Sequence, residues 1–223
     1  MTALTVVMAA ALVVGSWPLA MMHRAERIMR GTGGPGIVPF ELAESPREAD
    51  RYMRAWGTTG RRAARQSIHW DFPFIAVYVT LLAAAALHVA DRADAAGYSV
   101  LLVIAWGAAI LAVAAGVLDV VENVVLLRTL SEHDGVHAVP RGRIRVARLC
   151  AQVKFAFVSV VGVAVLAGFG IVQLSRHPTS DATVLALLIA TGVAAGVFTL
   201  LIRRRPRPQQ PSVPETTGLA ESQ

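Results

Sequence analysis

Five stretches of this 223-residue chain are each long and apolar enough to cross a bilayer, at about 2–22, 72–90, 98–127, 151–174 and 182–202. A hydrocarbon core of ~30 Å takes ~20 residues of helix at ~1.5 Å each, which these stretches supply. The expected fold class is all-α: an integral membrane helical bundle of about five transmembrane helices. Composition agrees, since 55% of residues are apolar, 16% are charged and mean hydropathy is +0.54. The first stretch has no basic residue before its apolar run and no Ala-x-Ala cleavage pattern, so it reads as an uncleaved anchor. Pro73 falls in the first turn of the second stretch, where proline is tolerated. The single Cys150 excludes an internal disulfide framework and a cysteine-based zinc site.

Charge placement tests this count independently, because short cytoplasmic loops collect Lys and Arg. Residues 23–70 hold nine arginines, 128–149 five, and the tail after 202 four, whereas the other two connections hold one each. Eighteen of the 21 basic residues thus fall where one topology demands, with the N-terminus outside and the C-terminus inside. The same placement accounts for the net charge of +6 without nucleic-acid binding. An Ala- and Arg-rich chain without a eukaryotic targeting signal suits the cytoplasmic (inner) membrane of a bacterium.

The long connection before the second span has structure of its own. Ser45-Pro46-Arg47-Glu48 has capping-box order, with Ser45 as N-cap and Glu48 reaching back. A helix is expected from 46 to 56, stopped by Gly57, with Ala49, Tyr52, Met53 and Trp56 on one face. That pattern suits a cytoplasmic amphipathic helix lying on the membrane surface, within an amphipathic segment 37–70. A second stretch from Thr59 runs into the following span, and its Arg61, Arg62 and Arg65 can hold anionic headgroups. Gly31-Thr32-Gly33-Gly34-Pro35-Gly36 lacks the Lys-Ser/Thr of a phosphate loop and reads as a flexible turn. The domain organisation expected is one bundle over 1–202 followed by a Pro-rich, disordered cytoplasmic tail at 203–223.

Polar residues inside the spans are the strongest functional lead, because ionisable groups are costly in hydrocarbon and need partners. Asp119, Glu122 and Asn123 lie within the third span. Ala108, Ala112 and Gly116 recur at i+4 steps before them, and at ~100° per residue the stripe continues into the polar residues. Small-residue stripes are where spans approach closely, so Asp119, Glu122 and Asn123 are expected to face the bundle interior. Ala164-x-x-x-Gly168 and Gly192-x-x-x-Gly196 offer similar contacts in the fourth and fifth spans. Counting from Arg65, Arg128 and Arg148 places Asp71, Asp119 and Lys154 at a common depth, ~9–14 Å inward of the inner surface. Tyr78 sits two turns deeper on the Asp71 face, and His69 lies just outside.

One lysine does not neutralise three carboxylates in low dielectric. Either Asp71 reaches arginine or water, or a carboxyl holds a proton, or a cationic ligand completes the site. Phe40-Glu41-Leu42-Ala43, the Ser45-Pro46 helix with Trp56, Asp71-Phe72-Pro73-Phe74 with Tyr78, Asp119-x-x-Glu122-Asn123 and Lys154-Phe155 together resemble a group of uncharacterised bacterial multi-pass membrane proteins. The resemblance covers roughly residues 37–160 and brings no activity with it.

The ligand-binding candidates are therefore Asp71, Tyr78, Asp119, Glu122, Asn123 and Lys154. A binding or accessory protein of the membrane fits best, with no cofactor signature, membrane lipids as partners and homo-oligomerisation left open. A lipid-modifying enzyme would draw on the carboxylates and His69, yet no His-x-x-x-His, Asp-rich or nucleophile signature supports it. An ion-coupled transporter would need a polar path toward His88 and an evident repeat.

Overall fold

The computed structural model describes residues 3–132 and 139–174, and their regular elements are five α-helices. These are α1 (Ala3–Gly31), α2 (Ile37–Glu41), α3 (Pro46–Ala95), α4 (Ser99–Glu132) and α5 (Arg141–Leu174). α1, α3, α4 and α5 are each long and apolar enough to cross a membrane, the architecture of a multi-pass membrane helical bundle. The expected fifth span, 182–202, and the tail 203–223 lie outside the described residues. Large apolar side chains face outward along the bundle: Val13 is 74% exposed and Leu166 73%. Such a surface is stable under hydrocarbon and not under water.

Each helix extends beyond the apolar run that signals it. α1 continues to Gly31 through Arg24, Arg27 and Arg30, and α5 begins at Arg141, ten residues before its apolar stretch. Arginine is a good helix former, so the charged flanks continue the helix past the apolar segment. α3 combines the amphipathic helix and the second span, joined through a kink at Gly57. There φ is 56° and ψ −156°, a conformation that only glycine adopts readily. Ser45 caps α3 as expected, accepting from the Glu48 backbone N–H at 3.3 Å. Glu48 reaches back one residue further than a capping box requires, accepting from the Glu44 N–H at 2.8 Å. At the other end of α3, Tyr98 N–H reaches the Ala93 carbonyl around Gly97 at φ 76°, a Schellman-type stop that turns the chain into α4.

The amphipathic part of α3 departs from the expected surface helix. Ala49, Met53 and Trp56 are buried against Ala25 and Met29 of α1, Phe40 of α2, Leu126 and Leu130 of α4 and Ala147 of α5. Its apolar face is therefore satisfied by protein. The later part of the glycine run, Gly34 to Gly36, is packed against its surroundings, while Gly31 and Gly33 stand exposed. Trp56 Nε1 donates to the Pro35 carbonyl at 2.7 Å, the Ile37 N–H donates to Glu26 Oε2 at 3.0 Å, and a methyl on Gly34 would fall 2.3 Å from the Trp56 ring. Phe40 meets Trp56 edge-on at 5.0 Å between ring centroids. These contacts seat α2 against the bundle and fix where Glu41 points.

α3 contacts α1, α4 and α5, and α4 also packs on α5. The small-residue stripe of α4 is the contact face: Ala108, Ala112 and Gly116 are buried, and a Cβ on Gly116 would meet Val79 at 2.5 Å. Gly168 stands in the same relation to Val89. Gly192 and Gly196 lie outside the described residues.

Candidate functional site

Close approach at Gly116 brings α3 and α4 together one turn before Asp119, and α5 closes the third side. Asp119 is 5% exposed, Glu122 0%, Asn123 1% and Lys154 6%. Lys154, the only lysine in the chain, is the centre. Its Nζ donates to Asp119 Oδ1 at 2.5 Å and lies 2.9 Å from Glu122 Oε2 and 3.9 Å from Glu41 Oε2. Tyr78 OH donates to the second Asp119 oxygen at 3.0 Å. Asn123 Nδ2 donates to Asp71 Oδ2 at 2.7 Å. The six candidate residues thus meet in one region supplied by α3, α4 and α5, as two bonded groups: Tyr78, Asp119, Glu122 and Lys154 in one, Asp71 and Asn123 in the other.

Glu41 is the member that periodicity and depth counting do not find. It belongs to a five-residue helix too short to show a period, and it reaches the lysine through a fold-back of the chain that residue counting does not see. In the sequence Glu41 is marked by the resemblance at Phe40-Glu41-Leu42-Ala43 alone. Burial pushes the Glu41 carboxyl up to about 7 from an ordinary 4.5, opposed by the Lys154 charge and reinforced by Asp71 and Asp119.

The polar accounting is incomplete in one direction. Both Glu122 oxygens and Asn123 Oδ1 are buried without a hydrogen-bond partner, and Lys154 approaches Glu122 Oε2 outside hydrogen-bond geometry. These atoms are acceptors. One ammonium is shared among Asp119, Glu122 and Glu41, with Asp71 nearby, so the buried site holds more carboxyl groups than cations.

His69 does not join the cluster. It is exposed, with Nδ1 2.7 Å from the Arg65 carbonyl. Among the described residues no group of three or more His, Cys, Asp or Glu side chains is arranged to hold a metal ion. Toward the far end of the bundle, Ala85, Ala86, Ala108, Ala109, Ala112, Val161 and Val165 form an apolar layer between the cluster and His88. His88 is buried beyond it, stacked on Phe169 at 5.5 Å. Of the three arginines expected at headgroups, Arg61 Nε donates to the Gly57 carbonyl and Arg65 Nη2 to the Leu130 carbonyl, each at 3.0 Å. With Arg62 and Thr58 they line a shallow groove of about 320 Å³.

None of the protein families, curated proteins or solved structures compared with the chain matches it. The functional reading therefore rests on the geometry.

Proposed function

We propose that the protein is a binding or accessory protein of a bacterial cytoplasmic membrane, with its N-terminus outside and C-terminus inside. In this reading its inner-leaflet polar site takes a hydrogen-bond-donating cation, the ammonium group of an amphiphile above all. The observation that carries the proposal is Glu122: fully buried, with Oε1 unpartnered and Oε2 met by the Lys154 ammonium at 2.9 Å outside hydrogen-bond geometry, beside Asn123 Oδ1, which also lacks a hydrogen bond. A buried acceptor left unmade costs about 1–3 kcal/mol, more when charged, so a ligand supplying donors and positive charge would gain on both counts. A primary ammonium meets that description. The groove of Thr58, Arg61, Arg62 and Arg65 would then contact anionic headgroups at the adjoining surface.

Competing activities lose support at specific residues. A lipid-modifying enzyme would use His69 with Asp71, but His69 is exposed and bonded to its own helix. Ion-coupled transport requires a polar route to His88, and the alanine-valine layer lies across it.

The proposal is tested with full-length protein in neutral detergent, by following the unfolding midpoint on addition of short-chain phosphatidylethanolamine, the matching phosphatidylcholine, or magnesium chloride. Phosphatidylethanolamine should raise the midpoint more than phosphatidylcholine, whose quaternary ammonium has no N–H to donate. Glu122→Gln and Asn123→Leu should each erase that difference. Equal responses to the two lipids in the native protein, or an undiminished difference in both variants, would refute the ammonium reading.

A further inference from the structure

A second concave region lies at the arginine-rich end of the bundle, between the start of α3 and the start of α5, and encloses about 870 Å³. Its floor is apolar, because Ala43, Val139 and Ile144 are buried there as part of or beside the bundle core. Its rim carries Arg47, Arg141, Arg145 and Arg148. Among the described lining residues the acid is Glu44, which accepts from Arg148 Nη2 at 3.2 Å and offsets one of these charges.

Orientation by positive charge would be served by arginines anywhere in the two connections. It does not account for where these stand. Arg141 opens α5, Arg145 follows one turn later, and the first turn of α5 contains no acidic residue. A helix N-terminus carries roughly half a positive charge, so cations there sit at the unfavourable end. α3 begins in the same groove, at Ser45 and Pro46, with Arg47 beside Glu48 in its first turn. Two helix N-termini and four guanidiniums thus converge on one concavity above an apolar floor. An anion placed there relieves the repulsion at the start of α5, where no acidic residue does so as Glu48 does at the start of α3.

We infer that this groove is a phosphate-ester site, with Arg47, Arg141 and Arg145 on the phosphate oxygens and the apolar floor beneath the organic part. Planar guanidinium forks match phosphate geometry bidentately, which an ammonium does not. The ester arises from two sources, a phospholipid headgroup or a soluble phosphorylated metabolite, and the recognition chemistry is common to both. The site shares no residue with the Lys154 cluster, so it stands or falls independently of the ammonium reading.

The experiment titrates full-length protein in neutral detergent, at constant ionic strength, with dihexanoyl phosphatidic acid, glycerol 3-phosphate or dihexanoyl phosphatidylcholine, and reads binding from the unfolding midpoint. The key variants are the pair Arg141→Lys with Arg145→Lys and, separately, Arg47→Lys. They keep net charge, so membrane orientation and general electrostatics are preserved. Saturable stabilisation by phosphatidic acid, with an apparent affinity about tenfold weaker in the paired variant, is expected. Saturation by phosphatidic acid alone assigns the lipid source, and equal saturation by glycerol 3-phosphate assigns the soluble ester. Full affinity in all the lysine variants would reduce the groove to plain charge attraction and overturn the site. A response to phosphatidic acid no greater than to phosphatidylcholine, without one to glycerol 3-phosphate, would also overturn it.

Discussion

Glu41 converts the Lys154 cluster from a pair with neighbours into a site with excess acid, and its titration makes the cluster visible in solution. A carboxyl whose folded value is raised to about 7 binds its proton more tightly folded than unfolded. Its contribution to stability is fully present below the unfolded value near 4.5 and is lost as pH rises through 7. Stability measured by denaturant in detergent should therefore fall between pH 5 and pH 8, by roughly 2–3 kcal/mol from this group. Glu41→Gln should flatten that profile. Parallel profiles for native protein and variant would place the pH dependence elsewhere. The residues of the spans were legible because hydrocarbon makes polar side chains conspicuous: Asp119, Glu122, Asn123 and Lys154 stand out from their apolar runs and then meet in space. Glu41 stands in no such run. Its place depends on Trp56 and Glu26 holding Pro35 and Ile37, contacts between residues up to 21 apart in the chain.

At the level of elements, α3 carries the design. Its first ten residues form a helix whose apolar face signals a partner, and Gly57 redirects the chain so that this face meets α1, α2 and the ends of α4 and α5. Amphipathic periodicity shows that a face must be covered but not by what, which is why a surface helix was the natural expectation and a protein-packed one the outcome. The kink gives a direct test. Gly57→Ala forces a side chain into a backbone region that costs of order 1–3 kcal/mol for non-glycine residues. The helix 46–56 should loosen, and trypsin should cut at Arg47, Arg51 or Arg54 faster than in the native protein, while the spanning part of α3 stays protected. Unchanged cleavage would show that the kink is relaxed at no cost. The stripe Ala108, Ala112 and Gly116 behaved as its spacing implies, because close approach of backbones is set by side-chain size along one face, a property local to the helix.

The whole molecule is an up-and-down arrangement of four long apolar helices within the described residues, with charge gathered at the end where α1 finishes and α3 and α5 begin. The proposed orientation makes a clear demand on reporter fusions. Alkaline phosphatase joined in the connection 96–98 should be active, and green fluorescent protein joined after 132 or after 210 should fluoresce. The fusion after 210 also probes the fifth apolar stretch, since an uncrossed 182–202 would place that reporter on the opposite side. Loss of fluorescence after 132 would reverse the orientation and remove the inner-leaflet placement of both proposed sites.

What the chain's residues determine by themselves is what acts locally: helix from apolar length, the cap at Ser45, the stop at Gly57, the buried face of α4, and the common depth of Asp71, Asp119 and Lys154. Rise per residue and side-chain size suffice for each. Only the tertiary structure decided that Lys154 bridges Asp119 and Glu122, that Asn123 serves Asp71, that Glu41 enters through α2, and that two helix N-termini share an arginine-rimmed groove. Those are pairings between segments, set by the rotation and height at which packed helices lock together, and no single segment carries that information.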